Sequence, residues 1–232
     1  MAESPIPRRI HYCWLSDDPL PELQQRCLAS WKRHLPGYEI VRWDMPRARA
    51  IDNRFLHQAI DSRAWAFAAD YLRLHALATE GGLYLDSDVE VFRSFDPFLR
   101  HRAFSAIEHW PEIHAIGIEG AILGSEPGHP WIRDCLAYYA DRNFLGPDGK
   151  KDETIISGII AGIAAERYGF RHAVEEQHLA GDIHLYPPIV LTHTRGPFSE
   201  TETHALHHCV GSWRAPKPLW KRALRRLLKG RA

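Results

Sequence analysis

Along the chain, apolar positions fall into short runs and longer periodic stretches that alternate in type. Residues 8–15, RRIHYCWL, and 38–43, YEIVRW, have the length and the β-branched and aromatic content of strands. Between them, residues 22–34, ELQQRCLASWKRH, place Leu23, Cys27, Leu28 and Trp31 on one side of a helix, so the N-terminal part reads as a βαβ unit. Residues 62–82, SRAWAFAADYLRLHALATEGG, carry the strongest helical pattern, with Ser62 as its N-cap and Gly81-Gly82 as its stop. The run GGLYLDSDVEVF, residues 81–92, follows as one strand. Further strands are expected at 103–108 and 120–125, and further helices at 130–144 and 152–169. Strands alternating with helices point to an α/β fold built on a mostly parallel sheet flanked by helices.

Alternation along residues 81–92 sends Tyr84, Asp86, Asp88 and Glu90 to one face and Leu85, Ser87, Val89 and Val91 to the other. Two carboxylates on one face of an apolar strand end repel, so the pair requires a cation, a shared proton or water. Hard carboxylate oxygens suit Mg²⁺ or Mn²⁺, ions that keep coordination positions free for substrate phosphates. Ligands of open α/β sheets bind at the carboxyl ends of strands, where this pair is expected. A solvated acidic strand end is the plain alternative. On the preceding helix Asp70 and Arg73 are three residues apart and therefore neighbours. They suit either a structural ion pair or hydrogen bonds to sugar hydroxyls. Residues 204–213, HALHHCVGSW, hold His204, His207 and His208 at helical i, i+3, i+4 spacing. A zinc site, a mixed oxygen and nitrogen site for a harder metal, and plain surface histidines all satisfy that spacing.

Composition narrows the setting. A chain of 232 residues, 45% hydrophobic and 25% charged, fits one soluble globular domain. Cys13, Cys27, Cys135 and Cys209 lie far apart with no CxxC pair, as expected of reduced thiols in the cytosol. The N-terminus lacks a signal-peptide core, and no apolar run approaches the roughly 18 to 20 residues of a membrane span. The formal net charge of zero hides an asymmetry. From Arg214 onward there are eight Lys or Arg and no acid, which leaves 21 basic and 29 acidic residues in 1–213, a net of about −8. A domain at 1–213 and a basic tail at 214–232 follow. In the tail Leu219, Trp220, Ala223, Leu224, Leu227 and Leu228 share one helical side, and Lys221, Arg222, Arg225, Arg226 and Lys229 the other. Such a helix suits an anionic membrane surface, placing the protein at the inner face of the cytoplasmic membrane; a helix packed on the domain is the alternative. Nucleic acid is not an expected partner, because nothing else in the chain is strongly basic.

Taken in order, IPRRIHYCW, SWKRHLPGYEIVRW, RAWAFAADYLRLHALATEGGLYLDSDVEVF and HHCVGSW resemble the DxD-containing sugar transferases of glycosyltransferase family 32. That family includes bacterial capsule and lipopolysaccharide glycosyltransferases and, more distantly, yeast Golgi mannosyltransferases and clostridial toxin glucosyltransferase domains. The resemblance runs over most of residues 5–213. It implies a GT-A fold, a nucleotide-sugar donor with uridine diphosphate sugars favoured, Mn²⁺ or Mg²⁺, and retention of anomeric configuration. The implied reaction moves a hexose to a saccharide or lipid-linked oligosaccharide acceptor in surface polysaccharide synthesis. Carried over residue by residue, the resemblance implies that Trp14 stacks on the base and the backbone near Tyr12 holds its edge. Asp70 and Arg73 would grip the donor sugar, Asp88 would bind the metal, and Asp86 would touch metal, ribose or sugar. His208 is the expected late metal ligand with His207 as its rival, while Ser212 and Trp213 would close over the diphosphate. At residues 152–160, DETIISGII, the chain departs from relatives that carry a Thr-Gly-Pro or Asn-Pro turn, so Asp152, Thr154 and Ser157 receive no role. Two competing readings stand beside this one. A haloacid-dehalogenase-type phosphatase uses a strand-end DxD, but with Gly or Thr where this chain has Val89. A sugar-nucleotide-binding protein without turnover is the other.

Overall fold

The computed structural model describes residues 4–211. The N-terminal βαβ unit forms as expected: β1 (Arg9–Cys13), α1 (Glu22–His34) and β2 (Glu39–Trp43), with β1 and β2 parallel. Two short helices that the pattern did not announce follow, α2 (Met45–Arg49) and α3 (Arg54–Asp61), capped by Asp44 and Asn53. Next come α4 (Trp65–Glu80), β3 (Gly82–Leu85) and β4 (Val89–Val91). Ser62 caps the end of α3 and not the start of α4, because Arg63 takes a left-handed φ of 52° and breaks the two helices apart. At the other end of α4 the glycine stop holds. Gly81 and Gly82 have φ of 65° and 98°, and a Cβ on Gly82 would lie 2.6 Å from the Arg9 carbonyl oxygen. Only glycine lets β3 start this close to β1.

The chain continues through β5 (Ala103–Trp110), β6 (Ala115–Ile118), β7 (Ile122–Ser125), α5 (Pro130–Ala137) and α6 (Ile156–Arg167). Four short strands finish it: β8 (Gln177–Leu179), β9 (Ile183–Tyr186), β10 (Leu191–His193) and β11 (Ala205–His207). The main sheet runs β2-β1-β3-β7-β5-β9-β8, with β6 paired to the outer part of β5. Strands β2, β1, β3, β5 and β9 share one direction, and β7 runs against its neighbours β3 and β5. The expected helix at 130–144 stops at Ala137, and the one at 152–169 starts only at Ile156. There Asp152 accepts hydrogen bonds from the Thr154 amide and hydroxyl, a local turn that competes with helix.

Two apolar clusters sandwich the sheet. One lies under α3 to α6 and includes Phe55, Leu72, Trp131 and Ile160. The other lies under α1 and includes Tyr12, Trp31, Phe95, Phe98 and Phe104. Helix α4 is apolar on most sides and buried along most of its length, so Asp70 and Arg73 are carried into the interior. A second sheet, β10-β11-β4, completes the fold on the α1 side. Trp31 ties α1 to it: its indole Nε1 donates to the Val89 carbonyl at 2.7 Å, and its ring meets Tyr12 edge-on. Among the described residues no helix is long and apolar enough to cross a membrane. Ser212, Trp213 and the basic tail lie outside the described residues.

Trp31→Phe keeps an aromatic ring but strands the buried Val89 carbonyl. We expect a loss of about 1–3 kcal/mol in unfolding free energy by urea titration, and an unchanged midpoint would contradict the role given to this bond.

Candidate active site

The expected single strand over 81–92 is two strands in two sheets. β3 pairs with β1 and β7 in the main sheet, and β4 pairs with β11 in the small one. Between them Asp86, Ser87 and Asp88 form a tight turn closed by the Val89 amide donating to the Asp86 carbonyl at 2.9 Å. The two carboxylates therefore converge through a turn and not through strand alternation. The turn is pinned on both sides. The Asp86 amide donates to Ala121 O at 2.9 Å, the His208 amide to Asp88 O at 3.0 Å, and the Val210 amide to Asp88 Oδ2 at 2.9 Å.

Helix α4 delivers the next two groups. Arg73 Nη2 lies 2.7 Å from Asp70 Oδ1 and 3.4 Å from Asp86 Oδ1, its Nη1 donates to the Gly120 carbonyl, and its guanidinium sits over the Tyr84 ring. Tyr84 donates its hydroxyl hydrogen to Asp86 Oδ1 at 2.9 Å. Burial pushes the Asp70 carboxyl up to about 7 even with Arg73 beside it, and Asp86 adds to the rise. Burial raises Asp86 as well, against the pull of Arg73 and His207. Burial opposes the charge on Arg73, but Asp86, then Tyr84 and Asp70, outweigh it.

The three histidines do not share a helix face. β11 is a strand, and alternation separates His207 from its neighbours. His204 Nδ1 bonds the Ser94 carbonyl, and His208 Nε2 meets Glu90 Oε2 at 2.9 Å. His207 alone of the three joins the carboxylates. Ligand atoms of Asp86, Asp88 and His207 all lie within 4.8 Å of one another. The structure thus puts the rival imidazole, not His208, beside the DxD turn.

Behind His207 stands Glu119, which the sequence reading missed. Its Oε1 accepts from the Ala121 amide at 2.8 Å and lies 3.4 Å from His207 Nδ1, while His207 Nε2 lies 3.6 Å from Asp88 Oδ1. Burial works against a charged His207, but Glu119, Cys209 and Asp88 hold the imidazole well above its ordinary range. Glu108, on β5, is pushed up to about 7 by burial and then by Glu119. A signal for Glu119 was present in IGIEGAILGS, where one carboxylate interrupts an apolar run.

The remaining expected residues are placed as follows. Trp14 follows β1, half-buried, its indole donating to the Asp18 carbonyl at 2.8 Å. The Tyr12 side chain belongs to the core beside Trp31, so only its backbone, paired in register with Arg42, faces the edge between β1 and β2. Asp152 and Thr154 bond each other in an exposed loop.

This architecture is that of the GT-A glycosyltransferases. The structure of "PaToxG Glycosyltransferase" superimposes with a TM-score of 0.51 at 16% identity, over 69% of each chain. Residues 21–105 match the family model described as "Glycosyltransferase sugar-binding region containing DXD motif". The Schizosaccharomyces pombe "Inositol phosphoceramide mannosyltransferase 3" is 30% identical over 55% of this chain, and the chain spans only 35% of that protein. The "Uncharacterized glycosyltransferase L373" of Acanthamoeba polyphaga mimivirus is 22% identical over 90% of this chain and 84% of its own length.

An Asp whose folded-state pKa is raised binds a proton in the folded state that the unfolded chain has released. Its stabilising contribution is full below about pH 4 and is lost as pH rises through about 7. Asp70→Asn cannot ionise. Its unfolding free energy relative to the parent is expected to rise by roughly 2–4 kcal/mol between pH 4 and pH 8, and a difference independent of pH would contradict the raised pKa.

Proposed function

We propose that this protein is a metal-dependent glycosyltransferase that moves a hexose from a nucleoside diphosphate sugar to a saccharide or lipid-linked acceptor. The observation that carries this reading is the convergence of Asp86 and Asp88 of the turn with His207 of β11, with Asp70 and Arg73 directly beside them. The donor set fits Mn²⁺ or Mg²⁺: two carboxylates, plus an imidazole whose far nitrogen faces a buried carboxylate, the arrangement that orients histidine ligands at metal centres. Asp86, Asp88 and His207 would hold the ion, which when bound neutralises charge on a diphosphate leaving group.

The chain's own groups supply the rest. Glu119 holds the His207 ring by its Nδ1 side and leaves Nε2 toward Asp88. Arg73 is fixed by Asp70, Asp86 and the Gly120 carbonyl, so it presents Asp70 in one orientation. An Asp70 carboxyl that titrates near neutrality both donates and accepts hydrogen bonds, which suits the hydroxyls of a donor sugar. Trp14, following β1, offers a ring for a nucleotide base, and Ser212 and Trp213 would close the diphosphate side. Among the described residues no side chain stands out as a nucleophile on the sugar, so the retention that the family resemblance implies is assigned to same-face displacement.

A uridine diphosphate sugar remains the favoured donor, with mannose donors included because two relatives carry the name inositol phosphoceramide mannosyltransferase. The ceramide in those names supports a lipid-linked acceptor. A role in surface polysaccharide synthesis at the inner face of the membrane is the setting in which a basic tail at 214–232 is useful.

Purified protein with Mn²⁺ is expected to hydrolyse one nucleotide sugar from a panel, and product analysis is expected to find the released anomer retained. Asp88→Asn and His207→Ala should each lower that rate by about a hundredfold, roughly 2.7 kcal/mol, while His208→Ala stays within a few-fold. Equal losses for the two histidine variants would contradict the assignment, and donor binding with no turnover under any condition would favour a binding protein. Deleting residues 216–232 should abolish flotation with anionic liposomes while leaving donor hydrolysis intact; unchanged flotation would remove the membrane role of the tail.

A further inference from the structure

Strands β8 and β9 form an antiparallel pair at the far end of the main sheet, with β7 and β5 between them and β3, the strand that leads into the DxD turn. In this pair His178 and His184 are direct cross-strand partners, so their side chains leave the same face. Glu176 immediately precedes β8, and its carboxylate reaches both rings. The result is a compact group. Ligand atoms of Glu176, His178 and His184 all lie within 4.8 Å of one another, with Glu176 Oε1 2.7 Å from His184 Nε2 and 3.9 Å from His178 Nε2.

His184 is 2% exposed: its Nε2 meets the Glu176 carboxylate at 2.7 Å, and its Nδ1 has no hydrogen-bond partner among the described residues. A buried polar atom without such a partner costs free energy, on the order of 1–3 kcal/mol. Nε2 of this ring approaches Glu176 Oε1, which also lies near His178 Nε2. His101 packs against the His184 ring at 4.2 Å between centroids, while its own Nε2 is occupied by the Tyr186 hydroxyl at 2.9 Å. His178 and Glu176 are exposed, so an ion reaches the group from solvent without any rearrangement of the core.

We infer that Glu176, His178 and His184 form a second metal site, one that takes Zn²⁺ or a similar borderline transition-metal ion with water in the fourth position. Two imidazoles and one carboxylate are a zinc donor set, and it is the majority of nitrogen over oxygen donors, the reverse of the DxD group, that disfavours Mg²⁺ here. For tetrahedral zinc with ligand bonds of about 2.0–2.2 Å, donor atoms stand roughly 3.3 Å apart, and the separations of 2.7 and 3.9 Å from Glu176 Oε1 to the two imidazoles bracket that spacing. The ion would join β8 to β9 at the sheet edge, away from the DxD turn.

The test uses the untagged full chain, stripped of metal by chelator. To silence the first site, Asp86→Asn/Asp88→Asn protein is titrated with Co²⁺ and with Zn²⁺. One equivalent should bind, with the visible absorption of tetrahedral cobalt, and adding His178→Ala should weaken binding by about tenfold or more. His178 is exposed, so its loss leaves the core intact. If the doubly substituted protein fails to fold, the parent chain serves: Zn²⁺ should raise its thermal midpoint, and the rise should shrink in His178→Ala and Glu176→Gln. No uptake, no thermal shift, or uptake that ignores His178→Ala would overturn the assignment.

Discussion

The antiparallel pairing of β11 with β4 is the constraint on which the site depends. That ladder sets His207 opposite Val89, one residue beyond the DxD turn, and so joins two segments more than a hundred residues apart in sequence. Everything around it serves to hold the turn. Trp31 grips the Val89 carbonyl from α1, the His208 and Val210 amides grip Asp88, and the Ala121 carbonyl takes the Asp86 amide. A turn fixed from three directions keeps two like charges together that would otherwise separate.

Charge compensation is the second requirement. Asp70, Asp86, Asp88 and Glu119 crowd a volume whose nearby cations are Arg73 and His207. A lysine in place of Arg73 would bring one point charge, whereas the guanidinium fork reaches Asp70, Asp86 and the Gly120 carbonyl at once. The acid excess is what a divalent ion would relieve, and Asp70 and Asp86 meanwhile move up toward neutrality. Glu119 differs from both: paired with His207 and the Ala121 amide, it is held below its ordinary range despite burial.

Much of this was legible in the sequence, and the misses have physical causes. The βαβ unit, α4 with its glycine stop, and the pairing of Asp70 with Arg73 are local and periodic, so pattern alone finds them. The DxD pair was found for an incomplete reason. Alternation predicted a shared face, while the carboxylates in fact meet through a turn that breaks the strand, and three residues carry too little pattern to reveal such a break. His207 rather than His208 beside the turn is a question of strand alternation in β11. The helical spacing of His204, His207 and His208 hid it, because short strands and helices share the same few residues. Glu119, and the group at Glu176, His178 and His184, depend on sheet register between distant segments, which no local reading contains.

The central claim is that Asp86, Asp88 and His207 bind one ion. Anomalous diffraction from crystals grown with Mn²⁺ and a nucleoside diphosphate tests it most directly. The account predicts a peak within about 2.3 Å of an Asp88 oxygen and His207 Nε2, with His208 still turned to Glu90. A peak bonded to His208, or none at the DxD turn, would contradict it.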